Sequence, residues 1–121
     1  MIQSFPIYDW SPPSINRLMS GHWRVRYDLK ERHMRIVMWS AKAHRIEPVG
    51  RCKVKIIVYK DNRRSDEDNV RSGASKVILD ALKHSGIIKD DSKKYVESSE
   101  VIIEYIKGEP YVVVEIEELE Q

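Results

Sequence analysis

Cysteine is almost missing: Cys52 is the only one in 121 residues. That excludes an internal disulfide framework and any multi-cysteine zinc site, and it fits a reducing, cytoplasmic compartment. No apolar run approaches the roughly 18 residues that a membrane span needs, and the N-terminus carries no signal-peptide pattern. There is no internal repeat, no low-complexity tract and no linker long enough to divide the chain. What is present is 41% hydrophobic and 33% charged, with a mean hydropathy of −0.51. This is the balance of a soluble globular chain, expected to form one domain over residues 1–121 around a modest core.

The net charge of +2 hides an asymmetry. Residues 17–64 hold 14 Lys and Arg against four Asp and Glu, a balance of +10. From residue 103 onward one Lys stands against six Glu, a balance of −5. A basic stretch of this kind is a footprint for a polyanion such as nucleic acid, or else a solvated helix face beside a solvated strand face. Arg24, Arg26, Arg32, Arg35 and Lys42 are the candidates for phosphate contacts within it. The acidic run Glu115-Ile116-Glu117-Glu118-Leu119-Glu120 reads as a solubilising edge.

Hydropathy patterning predicts the elements. Ile2–Tyr8 reads as a short strand, broken by Trp10-Ser11-Pro12-Pro13-Ser14 because paired prolines cannot continue a ladder. Residues 27–43 follow a helical period, with Leu29, Met34, Val37, Met38 and Ala41 on one stripe. Residues 51–59 alternate, Arg51, Lys53 and Lys55 against Cys52, Val54, Ile56 and Val58, which is a strand with one basic and one buried face. A second helix is expected over residues 69–84, closed by Gly86 where a positive φ is wanted. Residues 95–106 and 111–116 are β-rich, and Lys107-Gly108-Glu109-Pro110 between them reads as a hairpin turn. The expected fold class is α+β: a small mixed sheet with two helices packed on it, in the order βαβαββ.

The second helix carries the most chemistry. Val70, Ala74, Val77, Ile78, Ala81 and Leu82 form a core stripe. At about 100° per residue, Asn69, Lys76 and Asp80 line up along one flank of it. Just upstream stand Asp66 and Asp68, spaced so that an extended chain would point both to one side. Beyond Gly86 comes the acidic pair Asp90-Asp91. Carboxylates arriving from two loops can hold a hard divalent cation, and Mg²⁺ takes few of them together with phosphate oxygens of a substrate. A lysine nearby can stabilise charge building at phosphorus. Each piece also has a purely structural use: Asp66, Asp68 and Asn69 as turn and N-cap residues, Lys76 and Asp80 as an i, i+4 ion pair, Asp90 and Asp91 as a solvated loop.

Together, Asp66-Glu67-Asp68-Asn69, Lys76, Asp80-Ala81-Leu82, Gly86 and Asp90-Asp91 resemble the RusA family of Holliday junction resolvases. Ser11-Pro12-Pro13-Ser14-Ile15-Asn16-Arg17 is similar to that family's N-terminal segment, and Arg63-Arg64 to its basic lead-in, so the likeness covers residues 11–96. It implies a RusA-like fold and a homodimeric endodeoxyribonuclease of bacteria or their phages. Such enzymes resolve four-way junctions by paired symmetric nicks in DNA recombination and repair, using Mg²⁺ or Mn²⁺. Carried over by position, Asp66, Asp68 and Asp91 are the implied catalytic, metal-holding carboxylates and Lys76 the implied catalytic lysine. Asn69, Asp80 and Asp90 are the implied supporting residues; Arg17, Arg24, Arg26, Arg63 and Arg64 are the basic residues expected to meet DNA. The separation of Lys76 from Asn69 exceeds the family pattern by about one helical turn. Gly73, between Ser72 and Ser75, is expected to mark that insert as a longer loop or a frayed first turn.

His33 and His44 have no further ligand spaced with them, so no histidine metal site and no small-molecule cofactor are expected. Trp10, Trp23, Trp39 and Tyr27 are expected in the core or at a dimer contact, with stacking on unpaired bases as the other use. Two further functions share the same residues: a branched-DNA-binding protein of phage origin that has lost useful catalysis, and a metal nuclease acting on flaps or forks.

Overall fold

Apolar residues recur at every second position along three segments, and this alternation builds the sheet. Phe5 and Ile7, then Cys52, Val54, Ile56 and Val58, then Val112, Val114 and Ile116 are all fully buried or nearly so. The computed structural model of the chain describes residues 1–61 and 66–120. In chain order the elements are β1 (Ile2–Tyr8), α1 (Ile15–Met19), α2 (Trp23–Ala43), β2 (Cys52–Lys60), α3 (Glu67–His84), β3 (Val96–Tyr105) and β4 (Tyr111–Glu118). The result is a small α+β domain, as expected: a four-stranded mixed sheet with helices over one face.

The sheet runs β1-β4-β2-β3. β2 and β3 are parallel, joined by the crossover through α3, while β4 is antiparallel to both of its neighbours. The hairpin expected at residues 107–110 is therefore not formed. β3 takes one edge of β2 and β4 takes the other, so the connection passes over the end of β2, where Ile106 N–H donates to the Lys60 carbonyl at 2.9 Å. Side-chain chemistry accounts for this placement. The first half of β3, residues 97–100, is polar and exposed, which suits an edge, whereas β4 buries Val112, Val114 and Ile116 and needs neighbours on both sides.

The helices also differ from expectation in two ways. An extra short helix, α1, follows the proline pair, with Ser14 as N-cap accepting from Arg17 N–H at 3.3 Å and Leu18 as its one buried residue. One turn with one core residue leaves no period to read. α2 begins four residues before the expected start at residue 27, because Trp23, Arg24 and Val25 are exposed and show no buried period, and His22 caps it by accepting from Arg24 N–H. Its stripe behaves as expected: Met34, Val37 and Ala41 are buried, with Leu29 and Met38 packed alongside.

α3 lies against the sheet through Val70, Ala74, Val77, Ile78, Ala81 and Leu82. Gly73 belongs to the continuous helix and marks neither a loop nor a frayed turn. A Cβ there would stand 1.9 Å from the Pro13 carbonyl oxygen and within 2.9 Å of the Ile15 nitrogen, so the residue is glycine because the 13–15 backbone packs directly on it. Gly86 closes the helix at φ +77° as expected, and Ile87 and Ile88 return to the core.

Candidate functional site

The N-terminus of α3 is built by its own acidic residues. Asp66 is the N-cap: its Oδ1 accepts from Asp68 N–H at 2.9 Å and Asn69 N–H at 3.4 Å. Asp68 lies inside the first helical turn rather than in extended chain, its side chain 96% exposed. Negative side chains are favourable there because the helix N-terminus carries unpaired N–H groups. Arg71, one turn on, gathers this end together. Its guanidinium reaches Glu67 and Asp68 at 3.5 Å each and donates through Nε to the Val101 carbonyl of β3 at 3.3 Å.

Farther along the helix, Lys76 and Asp80 pair at 3.4 Å, as the i, i+4 spacing predicts. Asp80 is only 9% exposed and has a second, closer cation in Lys30 of α2, at 2.5 Å. One buried carboxylate between two ammonium groups leaves a local positive excess and fixes Lys76 on that flank. Asn69 falls on the same flank by helical geometry, about 10 Å nearer the helix start.

The acidic pair after α3 is divided. Asp90 faces Lys83 at 3.2 Å, and that hydrogen bond, with a second from Asp91 N–H, holds the Asp90 carboxyl below its usual range. The same contact raises Lys83. Asp91 instead borders a cleft of about 520 Å³ between α3 and β3, whose walls include Arg71, Ser75, Lys76, Asp80 and Ser99. Lys76 and Asp80, one turn apart on α3, thus share one cleft with Asp91 from the loop beyond the helix. Asp66 and Asp68 are not in its walls; Asp68 stands eight residues before Lys76, about 12 Å along the axis.

Oxygen-only donors such as Asp66, Asp68 and Asp91 suit Mg²⁺. Among the described residues, however, no three His, Cys, Asp or Glu side chains cluster closely enough to hold one ion. Within a single chain the carboxylate trio does not form a closed site.

Of the basic residues, Arg17 lies in the last turn of α1 and borders a second cleft, of about 370 Å³, with Pro12, Pro13, His33 and Lys60. Arg24 is exposed and sits over the Trp23 ring at 5.3 Å, and Arg26 is half-buried in the first turns of α2. Arg63 and Arg64 lie outside the described residues. Trp10 is in the core and donates from Nε1 to His33 Nδ1 at 3.0 Å, while Trp23 and Trp39 are surface residues. Burial foremost, then Arg17 and Arg32, push His33 below the usual histidine range. The acidic C-terminal run is a structural strand rather than an edge: Ile116 is buried in β4 and Glu118 accepts from Gly50 N–H at 2.9 Å.

Lys30 and Arg71 were not among the residues that the sequence singled out. Arg71 had a signal, its i+3 and i+4 spacing from Asp68 and Glu67. Lys30 had none, since its meeting with Asp80 depends on how two helices cross. No helix among the described residues is long and apolar enough to cross a membrane. The chain matches no protein-family model and no curated protein.

Proposed function

We propose that this chain is a Mg²⁺-dependent, structure-selective endodeoxyribonuclease that acts as a homodimer on four-way DNA junctions. The observation that carries the reading is the α3–β3 cleft. It collects Lys76, Asp80 and Asp91, three positions of the RusA-like motif, and adds Arg71 and Ser75. Two cations beside one exposed carboxylate are what a phosphodiester and a divalent ion together require. Because the three aspartates stand apart in one chain, one or two of them, Asp91 foremost, would hold an ion together with substrate phosphate, the usual habit of Mg²⁺. Mn²⁺ has the same oxygen preference. Such an ion supplies charge neutralisation at the phosphodiester. The chain's own groups do the rest: Lys76, held by Asp80, places positive charge at the scissile phosphate, Arg71 grips a neighbouring one, and Asp66 holds the start of α3 in place.

A second reading has an observation of its own. Asp66 serves as a cap, Asp68 pairs with Arg71 and Asp90 pairs with Lys83, so three of the acidic residues have structural employment. That favours a branched-DNA binder without useful catalysis.

Cleavage of a labelled four-way junction separates the two, with linear duplex, flap and fork controls, for wild type, Asp68→Asn and Asp91→Asn. Metal-dependent paired nicks, lowered at least about 100-fold in Asp91→Asn, are expected. Tight junction binding without cleavage in Mg²⁺ or Mn²⁺ would establish the binder instead. Faster cleavage of flaps or forks would move the substrate while keeping the chemistry.

A further inference from the structure

Away from the α3–β3 cleft, the C-terminal ends of α2 and α3 enclose a groove of about 390 Å³. Met38 and Trp39 of α2, Ile46 just after it and Ile87 just after α3 supply its apolar walls. Ile87 is buried and Met38 and Ile46 are half-buried, but Trp39 is 68% exposed. An indole left in water beside an apolar groove offers a partner a large area to remove from solvent.

The rim is cationic. Arg35 and Lys42 border the same groove, seven residues apart on α2. That is about 10 Å and nearly two full turns, so both project on the side that carries Met38 and Trp39. Arg35 lies 3.9 Å from Glu31, a loose pairing, and Lys42 pairs with no carboxylate among the described residues. Helix C-termini present carbonyls that would repel an anion, but both ends are capped here. The N–H groups of His44, Arg45 and Ile46 turn back onto α2, and those of Ser85, Gly86 and Ile87 onto α3. Side chains therefore set the sign of the rim, and it is positive.

We infer that this groove docks an acidic peptide segment of a partner protein. One large apolar side chain would sit between Trp39 and Ile87, with flanking carboxylates on Arg35 and Lys42. Trp and Arg are the side chains that most often dominate such contacts, and the volume is at the small end of ligand sites. Three residues of an extended peptide span about 9 Å, enough to reach both cations. Nucleic acid fits less well, because its affinity comes from many phosphate contacts and this groove offers two cations among four apolar side chains. The chain's own acidic run, residues 115–120, is held elsewhere. Ile116 is buried in β4, and Leu119 N–H donates to the Arg51 carbonyl at 2.8 Å. The inference goes beyond the nuclease reading and stands whether or not the chain cleaves DNA.

Fluorescence anisotropy on the full chain tests it. The probe is a fluorescein-labelled peptide with Asp and Glu on both sides of one Phe-Leu pair; its control carries Asn and Gln instead. The acidic peptide is expected to bind with a dissociation constant of about 10–200 µM, and the control at least about tenfold more weakly. Trp39→Ala should weaken the acidic peptide at least about tenfold. Arg35→Glu with Lys42→Glu should do the same, and should bind a Lys- and Arg-flanked peptide that the wild type refuses. Circular dichroism confirms that each variant is folded. Absence of binding at about 1 mM chain would overturn the inference. So would equal binding of the neutral control, or folded variants that bind like wild type. If instead a short single-stranded oligothymidylate binds and is lost in the same variants while the peptide stays free, the groove belongs to nucleic acid and the inference fails.

Discussion

A missing Cβ at residue 73 lets the backbone of Pro13, Ser14 and Ile15 touch α3. Replacing glycine by alanine inside an exposed helix ordinarily gains up to about 1 kcal/mol. Here the new methyl would overlap a backbone oxygen at 1.9 Å, and backbone on both sides leaves little room to give. Overpacking of this kind costs about 1–3 kcal/mol or more and outweighs the propensity gain. Gly73→Ala is expected to lose at least about 1 kcal/mol in urea unfolding; an unchanged or raised midpoint would contradict the packing described. His33 makes a second residue-scale prediction. Its folded pKa lies below the ordinary 6.5, so as pH falls below 6.5 the unfolded chain takes up a proton that the folded chain resists. Stability then declines with falling pH until the folded histidine titrates too. His33→Gln keeps an acceptor for the Trp10 N–H and lacks the proton. Between pH 7.5 and 5 its melting temperature should drop less than that of wild type; equal drops would remove His33 as a cause.

At the scale of elements, Asp66 has two separable duties. As N-cap of α3 it satisfies two backbone N–H groups, and asparagine caps as well as aspartate does. Asp66→Ala should therefore cost about 1 kcal/mol in chemical unfolding, while Asp66→Asn should be close to neutral. If the carboxylate also serves phosphodiester cleavage, Asp66→Asn loses nicking while keeping stability; retained nicking would limit Asp66 to the cap. The elements themselves were largely legible, because the buried alternation of β2 and the core stripe of α3 are strong periodic signals. α1 was too short to show a period, and the strand order was hidden for a different reason. The turn Lys107-Gly108-Glu109-Pro110 between two β-rich segments fits a hairpin locally, and only the competition between β3 and β4 for the edges of β2 excludes it. The candidate site was legible where its residues share one helix, as Lys76 and Asp80 do. It was illegible where two elements must meet, as at Lys30 on Asp80 or where Asp91 and Arg71 line one cleft.

Across the whole molecule, charge separates by layer. α2 carries six Lys and Arg against two acidic residues, whereas the open sheet face sets Lys53 and Lys55 among Glu100, Glu104, Glu115 and Glu117. The pattern noted along the chain as basic and then acidic becomes, once folded, a basic helical layer and a mixed sheet face. A polyanion approaching such a molecule is drawn to the helices. Arg17 on α1 and Arg24 and Arg26 on α2 lie in that layer. Each phosphate contact adds about −0.9 to the slope of log binding constant against log salt concentration for duplex DNA. Replacing all three arginines by glutamine should therefore flatten the slope for a four-way junction by about 2–3, and weaken binding most at low salt. Because α1 and the start of α2 add little to the core, the variant should unfold at nearly the wild-type urea midpoint. A slope unchanged in a folded triple variant would place the DNA elsewhere, with the α3–β3 cleft and its Arg71 and Lys76 as the next surface to alter.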